Sequence, residues 1–324
     1  MLEGLAAHAA RPFFLPVAVR GKQVTGVNVL TIGASRMEPK PGEHPFNCRL
    51  IGHAMKRPLP VSPSSASSPW TGAPTNTGQR YDVVDALRGL AMVWMTAFHF
   101  CFDLSHFGFW PQNFRVDPFW TTQRTFIVSL FLFCAGLGQA IAWQQGQGWL
   151  RFGRRWMQIA GCALLVTLGS FVMFPQSFIY FGVLHGMAVM LLIARCTSGW
   201  GWWLWPAGLV AVALPPLAQH LLAGSWIEAA PWFNGRVLNW LGLVSRKPFT
   251  EDYVPVFPWL GVMWWGLSAG QWVLAHRPVL LSRPLPGIVR PLSVLGRWSL
   301  SYYMLHQPVM IGLLMAVAWW LGRS

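Results

Sequence analysis

Five stretches without a single Asp, Glu, Lys or Arg dominate this 324-residue chain, and their lengths leave few folds open. They run 26 residues between Arg124 and Arg151, 39 between Arg155 and Arg195, 32 between Arg195 and Glu228, 24 between Asp252 and Arg277, and 25 between Arg297 and Arg323. A helix needs about 20 largely apolar residues to cross a hydrocarbon layer of ~30 Å. Only helices and closed barrels satisfy their backbone there, so these stretches predict an all-α, polytopic transmembrane helix bundle.

Composition agrees. With 54% hydrophobic and only 10% charged residues, a water-soluble globule would expose too much apolar surface. Disorder, collagen and a disulfide-stapled scaffold are excluded as well. Residues 1–79 differ, with eight Lys or Arg against three Glu and a Ser/Pro/Thr-rich run over 58–78. They read as a disordered tail or a non-native extension with Met55 as an alternative start, and they lack the apolar core of a signal peptide. The integral-membrane domain is expected over 80–324.

About seven spans (six to eight) are expected within it: Val84–Leu104, Phe126–Trp143, Trp156–Phe174, Phe178–Ala194, Trp202–Leu222, Val254–Ala275 and Leu300–Leu321. The 39-residue stretch is divided at Pro175-Gln176. Loops at one end hold Arg151, Arg154, Arg155, Arg195, Arg277, Arg283, Arg290 and Arg297 and no acid. The other end holds Asp103, Asp117, Glu228, Glu251 and Asp252 beside Arg115, Arg236, Arg246 and Lys247. The positive-inside rule therefore puts the N-terminus in the cytoplasm and residues 223–253 outside, in a bacterial inner membrane. Topology accounts for the net charge of +14, and no nucleic-acid-binding module is visible. The five Cys read as packing residues, and the 21 Trp as interfacial anchors.

The first span carries the most information. Positions 85, 88, 92, 96, 99 and 103 follow steps of three and four, and Asp85, Arg88, Thr96, His99 and Asp103 among them are polar. They share one helix face. A charge at mid-bilayer costs about 2.5–3.5 kcal/mol on insertion scales, so this stripe is expected to face the bundle interior or a watery cavity. The alternative is an Asp85/Arg88 anchor with His99 as a satisfied core residue.

Depth links three helices. At 1.5 Å per residue, His99 lies ~16 Å beyond Arg88, His185 ~15 Å from Arg195 and His306 ~14 Å beyond Arg297. Imidazoles at one level predict a reaction chamber, since this group serves as acid, base or nucleophile near neutrality; helix packing is the alternative for each. Asp252, Tyr253 and Trp259 close the outward segment as an acidic, aromatic, proline-stiffened stretch, suited to sugar or amine recognition or to interfacial anchoring. His106 in the first outward loop is a further candidate. No His pair has the i, i+4 spacing of a helical metal motif, so no metal is expected; no Gly-x-Ser-x-Gly elbow is present.

The stretch Val-Val-Asp85-Ala-Leu-Arg88-Gly-Leu-Ala, followed by Phe-His99-Phe-Cys-Phe-Asp103, resembles the opening of bacterial proteins grouped with the heparan-alpha-glucosaminide N-acetyltransferase catalytic domain. The Arg88, ten residues, His99 spacing is also similar to that of the wider integral-membrane acyltransferases that decorate cell-surface glycans. The likeness covers about 80–310, with Gly-x-x-His185-Gly, Asp252-Tyr-x-Pro-x-x-Pro-Trp259 and Ser-Leu-Ser-Tyr-Tyr-x-x-His306-x-Pro. It implies acyl-CoA, acetyl-CoA above all, bound from the cytoplasmic side, with transfer to a glycan amine or hydroxyl on the periplasmic side. Arg88 would bind the donor or support the fold, and His99 would be catalytic. In the lysosomal animal enzymes the histidine lies beyond the first helix, which makes His106 the other candidate. Arg154, Arg155 and Arg297 are expected to join Arg88 on the donor's phosphates, and Asp103 to hold the His99 tautomer. A proton-coupled transporter or flippase of an envelope precursor is the alternative from another class.

Overall fold

The computed structural model describes residues 80–114, 116–224 and 230–322. The expected N-terminal extension 1–79, Arg115 and Glu228 lie outside the described residues. Among those described the chain is all-helical apart from one isolated parallel bridge between Phe181 and Tyr253.

Helix α1, Asp82–His106, opens with Asp82 and Asp85 in its first turn, where carboxylates favour the positive end of the helix dipole. Helix α2, Pro118–Gln144, is capped by Asp117, whose Oδ1 accepts from Phe119 N at 2.8 Å, with Pro118 at the first position. A turn at Gly146, in the left-handed region at φ 63°, leads into α3, Trp149–Met173. Then follow α4, Val183–Cys196, a six-residue 3-10 segment, α5, Leu204–Gly224, and the short α6, Ala230–Asn234. The chain ends with α7, Val256–His276, the short α8, Val279–Ser282, α9, Arg290–Arg297, and α10, Ser299–Trp320.

Among the described residues, five helical segments are long and apolar enough to cross a bilayer: Asp82–His106, Pro118–Gln144, Trp149–Met173, Ser198–Leu221 and Ser299–Trp320. The molecule is a membrane helix bundle. Two of the expected spans differ in character. At 14 residues, α4 covers only ~21 Å, because the chain over 174–182 is non-helical and pairs with the segment before α7 through Glu251 N to Ser177 O (2.9 Å) and Val254 N to Phe181 O (3.2 Å). Irregular backbone is tolerated at such depth where protein covers it. Helix α7 is long enough, but its Trp and Gly residues lower its hydropathy; it lies at the centre and buries Leu260, Met263, Leu267 and Leu274.

Helix α7 packs chiefly on α2 and α5. A Cβ on Gly136 would strike Met263 O, and one on Gly266 would strike Phe133 O, so glycine on both helices lets their backbones touch, the usual device for helix association in lipid. The amphipathic α9, which periodicity over so short a segment did not announce, lies against α1: Gly89 meets Leu292 O and Gly296 meets Asp85 O. Helix α10 then runs along α1, while α3 lies against α4.

Candidate active site

The polar stripe of α1 meets α9 and α10 rung by rung. Arg88 pairs with Asp85 at 3.1 Å, and Arg297 reaches Asp82 at 2.7 Å and Asp85 at 3.8 Å. About two turns further along α1, the Tyr302 hydroxyl lies 2.7 Å from Thr96 Oγ1, which itself donates to Met92 O at 2.8 Å. Tyr302 is therefore the donor. Next comes His99 against His306, Nδ1 to Nε2 at 2.9 Å with the rings 11° from parallel. Gln307 Nε2 donates to Asp103 Oδ1 at 3.3 Å at the far end.

Elimination assigns the tautomers of the histidine pair. His306 Nδ1 lies 2.7 Å from Tyr303 O, and a carbonyl only accepts, so Nδ1 carries the proton. Neutral His306 then has its lone pair on Nε2, and His99 must donate from Nδ1. The lone pair of His99 falls on Nε2, the nitrogen not committed to this relay. Tyr302 stacks on His306 at 8° and fixes the second ring.

Beside this seam lies a cavity of about 1030 Å³ among α1, α2, α3, α4 and α10. Its mouth holds Arg80, Arg88, Arg151, Arg155 and Arg297, and its far wall includes Tyr303, the residue whose carbonyl anchors His306. Along α3 the lining runs from Arg151 to Leu165, a reach of ~21 Å. Arg88 is neutralised by Asp85, and Arg297 by Asp82 and Asp85; among the described residues no carboxylate forms an ion pair with Arg80, Arg151 or Arg155. The mouth is thus strongly cationic and suited to phosphates, with the N-terminal ends of α1, α3 and α10 turned to it. Gln139, on the cavity wall, has its Oε1 buried without a hydrogen-bond partner.

The heparan-alpha-glucosaminide N-acetyltransferase catalytic-domain model matches residues 80–308. The chain belongs to this family. The match begins at Arg80 and ends two residues past His306, so it contains the three polar pairs between α1 and α10. Searches of the curated proteins and of the solved structures return no match. Family membership supports a membrane-embedded acetyltransferase, as the first-helix resemblance implied.

The remaining residues expected at the site are distributed more widely than depth indicated. His185 is not part of the histidine pair: Thr167 Oγ1 donates to Ile179 O at 2.8 Å and so accepts from His185 Nε2 at 3.0 Å, while His185 Nδ1 accepts from Gly182 N at 3.3 Å. Both nitrogens are occupied in fastening the start of α4. Asp103 does not orient His99 either; Gln307 engages it, and its Oδ2 is buried without a partner. His106 is exposed at the end of α1 against Phe107, two turns or ~10 Å beyond His99. Arg154 lines a smaller recess of about 380 Å³ at the α2–α3 turn, with Arg151.

In the Asp252-Tyr-x-Pro-x-x-Pro-Trp259 stretch, Asp252 Oδ2 accepts from Val183 N at 2.8 Å and Tyr253 donates to Asn239 O at 2.6 Å. Trp259 packs on the main hydrophobic core. Burial pushes the Asp252 carboxyl above the usual carboxylate range, against the Val183 amide and the charges of Lys247 and Arg124. No group of three His, Cys, Asp or Glu able to hold a metal ion occurs among the described residues. Arg80, Arg151 and Gln139 line the cavity without having been singled out. The two arginines were legible as charges flanking spans, whereas Gln139 had no signal beyond being polar within an apolar run.

Proposed function

We propose that residues 80–324 form an inner-membrane acetyltransferase that takes an acetyl or other short acyl group from acyl-CoA at the arginine end of the cavity and delivers it to an amine or hydroxyl of an envelope glycan. The arginine end is cytoplasmic and the acceptor side periplasmic, following the distribution of basic loops. One observation carries the reading: a single cavity joins five arginines to Tyr303, the residue that anchors the His306–His99 relay. The donor's phosphates match Arg80, Arg151 and Arg155, which lack carboxylate partners among the described residues, and its amide-bearing arm offers N–H groups to the orphan oxygen of Gln139.

When bound there, the donor supplies an acyl carbon activated as a thioester. His99 Nε2 takes the proton of the attacking amine or hydroxyl as the new C–N or C–O bond forms. It returns that proton to the thiolate as the C–S bond breaks. His306, held by Tyr303 O, keeps His99 Nδ1 protonated and steadies the imidazolium that forms between the two events, a role expected earlier of Asp103. Transfer in one step and transfer through an acyl-histidine use the same nitrogen.

The test offers radiolabelled acetyl-CoA to proteoliposomes containing the full chain. CoA release that requires an added amino-sugar or glycan acceptor is the expected result, with His99→Ala lowering it by about 10²–10⁴ at an unchanged protein level. Acceptor-dependent release undiminished by His99→Ala would remove His99 from the chemistry. Uptake of a labelled precursor without CoA release would replace the enzyme by the transporter, a reading the family match does not favour.

A further inference from the structure

The cavity has an open side. Its α3 and α10 walls touch each other sparsely, and only 11% of the apolar stretch of each is buried inside the protein, against 39% for α1 and α2. Several residues lining the cavity are at the same time on the outer surface: Met157 is 63% exposed, Leu165 59% and Leu305 62%. In a membrane such surface faces hydrocarbon. Between these large side chains α3 presents Gly161, also on the cavity wall, and a Cβ built there meets no atom within 4 Å. Gly161 lies six residues, or ~9 Å, along α3 from Arg155 of the arginine mouth.

We propose that this gap is a lateral portal through which the acyl chain of the donor passes into the bilayer, so that the protein accepts acyl-CoA with chains well beyond acetyl. The inference rests on the acyl-CoA reading above and adds a substrate class to it. A closed pocket cut to an acetyl group would exclude each added methylene by overpacking. An opening to hydrocarbon removes that exclusion, and every further CH2 gains the transfer free energy of leaving water. The occupant is an amphipath with an anionic head at the arginines and a hydrocarbon tail between α3 and α10. The donor is preferred to a membrane phospholipid as that occupant because the portal opens from the same cavity whose lining reaches Tyr303, the residue whose carbonyl anchors the histidine relay.

The measurement is acceptor-dependent CoA release from acetyl-CoA and from octanoyl-CoA, in proteoliposomes of the full chain, for the wild type, Gly161→Trp and Gly169→Trp. Position 169 is on the same helix, off the cavity lining, and also has open space for a Cβ. Octanoyl turnover within tenfold of acetyl turnover is expected in the wild type. Gly161→Trp is expected to lower the octanoyl-to-acetyl ratio at least tenfold, and Gly169→Trp to leave it unchanged. A wild type that uses acetyl-CoA and rejects octanoyl-CoA would overturn the portal alone, whereas absence of CoA release from either donor would overturn the enzyme reading beneath it. Loss of a copurifying anionic phospholipid in Gly161→Trp, with the donor ratio unmoved, would assign the gap to a membrane lipid and overturn the proposal as well.

Discussion

Two helix seams in this bundle solve opposite problems. Along α2 and α7, Gly136 and Gly266 bring backbone against backbone, and the surroundings are buried Leu, Met and Val. Along α1 and α10, the helices are held apart by side chains that hydrogen-bond across the gap: Tyr302 to Thr96, His99 to His306, Gln307 to Asp103. The first seam gains from dispersion over a close surface. The second keeps polar groups out of lipid by pairing them, and it runs along the more exposed helix of the two pairs. On the proposed function, the chemistry falls where packing is loose enough to leave a cavity, and the close α2–α7 seam supplies the frame.

Substitutions separate the two by what they damage. His99→Ala is expected to cost about 10²–10⁴ in turnover, the range for a general base, with little change in thermal midpoint in detergent; normal turnover would reduce the polar ladder to packing. His306→Ala leaves the His99 Nδ1 proton without its acceptor, a loss of about 1–3 kcal/mol, or about five- to 150-fold in rate. His306→Gln, whose amide oxygen can accept that proton, should recover part of it. Equal kinetics for Ala and Gln would mean that the relay does not set the His99 tautomer.

In the other seam the signs reverse. Gly266→Ala forces a Cβ into Phe133 O, and overpacking of this kind costs about 1–3 kcal/mol. The thermal midpoint should fall while the protein that remains folded keeps its turnover per molecule. Gly169→Ala, on a surface with open space, is the matched control and should leave the midpoint in place. If Gly266→Ala instead lowers turnover at an unchanged midpoint, the α2–α7 seam is coupled to the site and the division between frame and chemistry fails.

How much of this was legible follows the same division. The α1 stripe could be read from steps of three and four because a polar face on an apolar helix has few other causes, and the equal depth of His99 and His306 pointed to the pair. Depth is blind to azimuth, however. His185 shares the level, but it faces Thr167 and the 174–182 segment, an arrangement set by the short, late start of α4. Asp103 was the nearest acid along the helix, yet the actual partner of His99 comes from a helix 207 residues on. The close seam left only scattered glycines among other small residues. Helix α9, at eight residues, was too short for its period to rise above a loop containing Pro and Arg.

Asp252 gives the smallest expected effect and the finest test of where the polar chemistry ends. Its Oδ2 caps α4 from a distant part of the chain through Val183 N at 2.8 Å, and burial holds its carboxyl above the ordinary range. A raised value means that the fold favours the protonated form. Its contribution to stability is therefore fully present at low pH and lost as pH rises through the shifted value. Asp252→Ala removes the cap and should cost about 1 kcal/mol. Asp252→Asn retains an acceptor oxygen but cannot ionise, so it should keep turnover and acceptor KM while flattening that part of the pH dependence of the thermal midpoint. A rise in acceptor KM for the Asn variant, at an unchanged midpoint, would give the carboxylate a role in reading the acceptor, and the reactive surface would then extend from the α1–α10 seam across to the start of α4.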